Sequence, residues 1–323
     1  MRIVVIGGSG HVGSFLVPRL VRAGHQVVAL SRGARAPYVD DEAWSDVEQV
    51  VVDREAEDEA GTFGPRVAAL EADAVVDMIC FTPASATALV EALRGHTGHL
   101  LHCGTIWRYG PSVKLPMRED DGSPPFGAYG TQKAAIAELL EAETRTGGLV
   151  STVLQPGHIS GPGWVPIGPL GNLDPRVWYA LSAGEEIAVP GLGVELMHHV
   201  HADDVAQAFQ LAVENRAAAA GQSFNVVAPS ALTVRGYLAI AAGWFGRTAR
   251  TRSVSWPEFR AGTTPEFADS SWEHLARSQF ASIEKARSLL GYRPAFEPDA
   301  AALSGIRWLI DHDRLEVAAP LVG

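Results

Sequence analysis

The sequence predicts an α/β protein, a doubly wound parallel sheet with a smaller, mostly helical C-terminal lobe. Three observations carry that reading. Short, fully apolar, β-branched runs alternate with stretches of helical periodicity; a glycine cluster joins the first run to the first helix; and after residue 156 the alternation breaks into a proline- and glycine-rich segment. Strands read as continuous apolar runs when helices cover both faces of a parallel sheet.

Taken in order, Arg2-Ile3-Val4-Val5-Ile6-Gly7 is the first strand, and Val12, Phe15, Leu16 and Leu20 follow at helical spacing. Pro18 falls inside that helix and is expected to interrupt and kink it. Further strands are expected at Gln26–Leu30, Val47–Val52, Ala74–Ile79, His99–His102 and Val150–Gln155, with helices near 60–72, 84–95 and 127–146. The segment Pro156–Pro175 is too long to be a plain connection, and loops of that length are usually functional. Beyond it, helices are expected near 174–184, 203–216, 233–245, 282–290 and 298–312, with short strands near 195–200 and 222–227. The division that results is a Rossmann-like dinucleotide-binding unit over 1–165, to which 199–227 returns, and a substrate lobe formed by 166–198 and 228–323. That lobe should cover the carboxyl ends of the strands, where open α/β sheets bind ligands.

A chain of 323 residues with 47% hydrophobic content can bury a large core. The formal net charge of −11, with no basic tract, argues against nucleic acid as a partner. No apolar run reaches the ~18 residues of a membrane span, and Met1 leads straight into a strand, so the expected location is cytoplasmic, without a membrane. In that reducing compartment Cys80 and Cys103 read as packed thiols.

Gly7, Gly10 and Gly13, with Gly8 beside the first, have the spacing of a phosphate-cradling loop. Missing side chains there let the chain turn tightly, bring backbone N–H groups to a pyrophosphate and pack the helix on the sheet. At the end of the second strand, where a carboxylate would select NAD, stand Ala29-Leu30-Ser31-Arg32. A hydroxyl and a guanidinium suit a 2′-phosphate, so NADP is favoured over NAD, with Arg35 as a further phosphate partner. Asp53, closing the third strand, is placed to accept from the adenine amino group.

Tyr129 and Lys133 are four residues apart and share one helical face. A unit positive charge ~4 Å from a phenol, at an effective dielectric of ~20, is worth up to ~4 kcal/mol, enough to bring its pKa from about 10 toward 7. Thr105 supplies a hydroxyl to the same substrate oxygen, and the three together form a proton-transfer site suited to hydride chemistry on a nicotinamide. Tyr109 is a poorer base, because its downstream four-residue partner is Val113.

These motifs resemble, in order along nearly the whole chain, the extended short-chain dehydrogenase/reductase family, the NAD-dependent epimerase/dehydratase group. The resemblance extends through Gln155-Pro156-Gly157-His158-Ile159-Ser160-Gly161-Pro162-Gly163, His199-Val200-His201-Ala202-Asp203-Asp204-Val205-Ala206, and Ser282-Ile283-Glu284-Lys285-Ala286-Arg287 with Leu290-Gly291-Tyr292-Arg293-Pro294. It implies that Tyr129 is the acid/base, that Lys133 holds the nicotinamide ribose and biases Tyr129 toward phenolate, and that Thr105 positions the reacting oxygen. Cofactor contacts are implied also at His11, Val12, Phe81, Pro156, His158 and Ile159, and assembly as a homodimer through paired helices.

Two departures narrow the chemistry. Thr105 is followed by Ile106 and Trp107 rather than the Asp-Glu pair that dehydration needs. In place of the Arg-x-Gly-Asp-like stretch that clamps a substrate pyrophosphate stand Phe267-Ala268-Asp269-Ser270-Ser271-Trp272-Glu273-His274, with Arg277 the available substitute. The substrate pocket is instead aromatic and imidazole-rich: Trp107, His158, Trp164, His198 and His199 are its candidates, with Phe81 and Trp178 nearby and Asn172 as a polar contact. No metal is expected, since of His198, His199 and His201 only the last pair could share a strand face. The expected activity is that of an NADP-dependent oxidoreductase or epimerase acting on a small-molecule secondary alcohol or ketone. The alternatives are a nucleotide-sugar 4-epimerase-like enzyme, or a non-catalytic NADP- or RNA-binding regulator of the same fold.

Overall fold

The structure, a computed structural model, describes residues 1–322. The first half alternates as the apolar runs require: β1 (Arg2–Ile6), α1 (Gly13–Arg22), β2 (Gln26–Ser31), β3 (Glu48–Val51), α2 (Arg54–Glu59), α3 (Phe63–Ala68), β4 (Ala74–Asp77), α4 (Pro83–Leu93), β5 (His99–Cys103), α5 (Ala128–Arg145) and β6 (Ser151–Pro156). The second half is β7 (His158–Ser160), α6 (Arg176–Ala183), β8 (Glu186–Pro190), β9 (Leu196–Met197), β10 (His199–His201), α7 (Ala202–Glu214), α8 (Arg216–Ala219), β11 (Ser223–Val226) and β12 (Leu232–Thr233). It closes with α9 (Val234–Gly243), β13 (Arg250–Val254), α10 (Trp256–Ala261), α11 (Pro265–Leu275), α12 (Glu284–Leu290) and α13 (Pro298–Asp311).

Seven parallel strands form one Rossmann-like sheet in the order β11-β6-β5-β4-β1-β2-β3. In register, Ile3 pairs with Val27 on one side and Ala74 on the other, and both faces of β1 are buried, Ile3 and Val5 in one core and Val4 and Ile6 in the other. On one face Leu16, Leu20, Phe209, Phe224 and Tyr292 pack together; on the other, Phe63, Leu89, Leu93, Ile136 and Leu140 do. The strand order reverses between β1 and β4, which opens the ligand crevice at their carboxyl ends.

A third core gathers Trp178, Tyr237, Leu238, Phe245 and Ile306 from the C-terminal half. Here the architecture departs from expectation. A parallel pair, β8 with β13, and the helices α10 and α11 occupy stretches in which no element is expected from sequence. Arg250-Thr251-Arg252-Ser253 carries too little apolar character to read as a strand, whereas α11 announces itself by its cap, Thr264 accepting from Phe267 N with Pro265 in the first turn. The helix expected near 60–72 is the shorter α3, and α2, which was not expected, precedes it, the two separated at Gly61, whose φ is +68°. Helix α1 runs through Pro18 without interruption.

Candidate active site

The glycine loop leaves β1 at the crevice. Gly7 has φ +86°, and a Cβ on Gly13 would lie 2.2 Å from the Gly8 carbonyl oxygen, so that turn closes only without a side chain. The loop is tied from within by Ser14 Oγ, which donates to Gly10 O at 2.7 Å and accepts from Tyr38 N at 3.0 Å. The cradle and the start of a ten-residue helix fit a pyrophosphate, whose charge the N–H groups of Val12, Gly13 and the first turn would meet.

The adenosine side is less committed. Arg32 is exposed at the end of β2, Ser31 Oγ accepts from Gly33 N at 3.3 Å, and the Arg35 guanidinium lies 4.6 Å above the Tyr38 ring while donating to its hydroxyl. Asp53 caps α2, its Oδ1 accepting from Glu55 N and Ala56 N. Unforeseen from the sequence is the buried pair beside it, Arg54 Nη1 to Asp77 Oδ1 at 2.6 Å, extended by Asp58 and Ser85.

Thr105 ends β5 as the cap of a 3-10 turn, Ile106–Tyr109, with its hydroxyl accepting from Trp107 N at 3.3 Å. Tyr129 sits in the first turn of α5 with its phenol engaging the Thr105 side chain, and the Trp107 ring stands edge-on to it at 5.8 Å. Lys133, one turn further, is only 2% exposed; its ammonium donates to Cys80 O at 2.8 Å and Cys103 O at 2.7 Å. It lies 4.9 Å from the Phe81 ring centre and 5.9 Å from that of Tyr129. Cys80 and Cys103 are free and buried, burial pushing each thiol up to about 11.

The electrostatics correct one expectation. Tyr129 as a residue is 42% exposed, yet desolvation by the surrounding protein holds the phenol above its ordinary value, opposed by the Thr105 contact. Lys133 does not offset this in the protein alone, because its ammonium is turned to two backbone carbonyls rather than to the phenol oxygen. Burial likewise lowers the Lys133 pKa.

Across from Tyr129 lies a cluster of neutral imidazoles. His158 and His199 are register partners on β7 and β10, with rings 5.3 Å apart. His274, from α11, completes the cluster at 4.9 Å from His158 and 4.6 Å from Trp107. Burial lowers His158 well below its usual value, His199 to about 3 and His274 to about 4. His199 Nδ1 bonds Ser160 Oγ at 2.8 Å, whereas His199 Nε2 and His158 Nδ1 are buried without a protein partner. Two adjacent unpartnered polar atoms beside a phenol are suited to ligand hydroxyls.

Other candidates do not join this cluster. His198 bonds Ala228 O through Nε2 and accepts from Ala281 N at Nδ1, so both nitrogens hold the fold, on the strand face opposite to His199. Asn172 ties its loop to α11, donating to Ser271 Oγ at 2.8 Å, and accepts from Asp174 N. Trp164 stacks on His11 at 4.9 Å, beside the glycine loop rather than Trp107. Trp178 is buried in the third core, and His201 caps α7 through Asp203 N. His274 was missed as a site residue, and Arg277 was weighed only as a clamp for a substrate pyrophosphate; the cap at Thr264 that starts α11 was the available signal.

Among the described residues no three His, Cys, Asp or Glu side chains are grouped to hold a metal ion, and no helix is long and apolar enough to cross a membrane.

The model of the NAD dependent epimerase/dehydratase family matches residues 3–227. The chain is 29% identical over 219 residues to 2'-dehydrokanamycin reductase of Streptomyces kanamyceticus, an alignment covering 67% of this chain but 59% of that protein. It is 27% identical over 305 residues to the chloroplast stem-loop binding protein of 41 kDa b of Arabidopsis thaliana, covering 92% of this chain and 76% of the relative. Among solved structures, UDP-glucose 4-epimerase of Thermotoga maritima superposes with a TM-score of 0.72 at 20% identity, over 97% of this chain and 99% of that one, a likeness of fold.

Proposed function

The chain belongs to the NAD dependent epimerase/dehydratase family, and from that premise we propose that it is an NADP-dependent oxidoreductase or epimerase acting on a secondary alcohol or ketone of a small, ring-bearing molecule. The observation that carries the reading is the meeting of Thr105, Tyr129 and Lys133 at the end of β5, across the crevice from the glycine cradle. With the cofactor's pyrophosphate held in that cradle, the nicotinamide would exchange hydride with the carbinol carbon beside Tyr129. Tyr129 moves the hydroxyl proton, and Thr105 holds the reacting oxygen. Lys133, released from its carbonyls to the cofactor ribose, would supply the positive charge that brings the phenol down. Arg32, with Ser31 and Arg35, would take the 2′-phosphate that distinguishes NADP from NAD, and Asp53 the adenine edge.

Trp107, His158, His199 and His274 would line the substrate, offering ring faces and two buried nitrogens to hydroxyls. The Arg277 guanidinium donates to the Phe126 and Glu273 carbonyls, which removes it as a clamp for a diphosphate and favours a substrate without one. A nucleotide-sugar 4-epimerase remains the second reading, favoured by 26% identity over 323 residues to UDP-glucose 4-epimerase of Corynebacterium glutamicum. Resemblance to the chloroplast stem-loop binding protein favours a binding role instead, but the assembled Thr105, Tyr129 and Lys133 set and the net charge of −11 oppose it. A cofactor-binding unit served by a separate substrate lobe, a cytoplasmic setting, and a homodimer paired through helices that include α5 complete the proposal.

Tyr129→Phe tests it. With NADPH and a panel of cyclic ketones, turnover should fall by ~10²-fold or more while NADPH affinity stays within a few-fold. Unchanged turnover would discard the assignment. Net NADPH consumption by the native protein marks a reductase; product formation at constant absorbance marks an epimerase.

A further inference from the structure

We propose that Arg277 is a positioning residue, which with Gln279 and Glu273 fastens the substrate-side helix α11 to the turn after Thr105 and to the first turn of α5, and so sets where Tyr129 stands relative to Thr105. The inference deepens the reading above and takes the acid–base role of Tyr129 as its premise.

Arg277 is 1% exposed, with its guanidinium carbon 3.8 Å from the ring centres of both Trp107 and Phe126. Nη2 donates to Phe126 O at 2.6 Å, just before α5 begins, and Nη1 donates to Glu273 O. The Arg277 carbonyl accepts from Ser112 N at 3.1 Å. Two residues on, Gln279 Nε2 donates to Ile106 O at 3.0 Å and Gly110 O at 2.7 Å, so both ends of the turn carrying Trp107 are held from the same segment.

The start of α5 is shaped to receive this brace. Gly127, its cap, has φ +72°, and a Cβ there would lie 3.0 Å from both Glu273 carboxylate oxygens. A Cβ on Gly130 would meet Trp107 O at 3.1 Å and Arg277 Nη2 at 3.4 Å. An anionic side chain at the N-terminus of an 18-residue helix is favourably placed. Filling space between two rings needs no charge, and a buried cation is a costly filler where an apolar side chain would pack. What the guanidinium adds is a planar fork able to hold carbonyls from two chain segments at once.

The test uses the full chain with NADP⁺ as the probe ligand, and compares native protein with Arg277→Met and Arg277→Lys. Amide hydrogen exchange is read in peptides covering 106–112 and 126–133; ionisation of Tyr129 is read as the ultraviolet difference against Tyr129→Phe. Arg277→Met should speed exchange in both peptides by ~10-fold or more while β1, β4 and β5 exchange as before. Loss of the Thr105 contact should raise the Tyr129 midpoint by about one pH unit, and Arg277→Lys should recover part of both effects. Unchanged exchange and midpoint would overturn the proposal, as would exchange rising evenly along the chain. Should Arg277→Met fail to fold, Arg277→Lys and Gln279→Leu decide by the same readouts. If the native protein shows no ionisation assignable to Tyr129, the functional reading falls, and selective exchange alone judges the brace.

Discussion

Acid should unfold this protein well above the carboxylate range, because its fold encloses neutral imidazoles. Burial holds His99, His198, His201 and His274 at about 4, and His11 and His199 at about 3, against the ordinary 6.5. Between those values the unfolded chain binds protons that the folded chain refuses, so stability is complete above 6.5 and drains away as pH falls toward 4. At about pH 5 each imidazole held at 4 costs about 2 kcal/mol, and the four together about 8 kcal/mol, comparable to the whole stability of a domain. Urea unfolding followed by tryptophan fluorescence at pH 7.5, 6.5, 5.5 and 5 measures this directly. His201→Asn keeps an acceptor for Asp203 N but removes one titrating ring. Whatever that variant loses at pH 7.5, its deficit should shrink by about 2 kcal/mol at pH 5. A folding free energy constant within about 1 kcal/mol from pH 7.5 to 5 would refute the reasoning, since it would mean that the rings accept protons in place.

The buried ion pair between Arg54, 7% exposed, and Asp77, 2% exposed, should be expensive to break. Asp77→Ala leaves the guanidinium with the Asp58 carboxylate at 3.3 Å and the Ser85 hydroxyl, and should lower urea stability by about 3–5 kcal/mol; a loss under about 1 kcal/mol would show that water reaches the site. Arg32→Asp should shift the ratio of NADP⁺ to NAD⁺ affinity, measured by fluorescence titration, toward NAD⁺ by about 10-fold or more, through repulsion of the 2′-phosphate. An unaltered ratio would remove Arg32 from that site.

The sheet and its crevice were legible because their determinants are local. Five short runs with apolar centres, each too short for a helix, became β1, β2, β4, β5 and β6, and the Gly7 to Gly13 spacing marked a turn that a side chain on Gly13 would not enter. Tyr129 and Lys133 were legible for the same reason, since four residues of helix put them on one face. Less readable were places where distant segments meet. His198 and His199 differ by one position, yet one pins Ala228 and Ala281 while the other faces His158, and only the pairing of β7 with β10 decides which. His274 and Arg277 reach Trp107 from about a hundred and fifty residues beyond Tyr129 in sequence, one on a helix whose apolar pattern says nothing of its neighbours and the other just past its end.

By itself, then, the chain's order of residues determined the alternation of the first half, the glycine turn and the tyrosine–lysine pair, because steric limits on the backbone and helical periodicity act over a few positions. Tertiary structure alone decided which imidazoles gather together, that Lys133 turns to Cys80 and Cys103 carbonyls, and that the Tyr129 phenol stands above its ordinary pKa in the protein alone. Desolvation and charge are sums over every atom nearby, and those atoms come from parts of the chain that no local pattern connects.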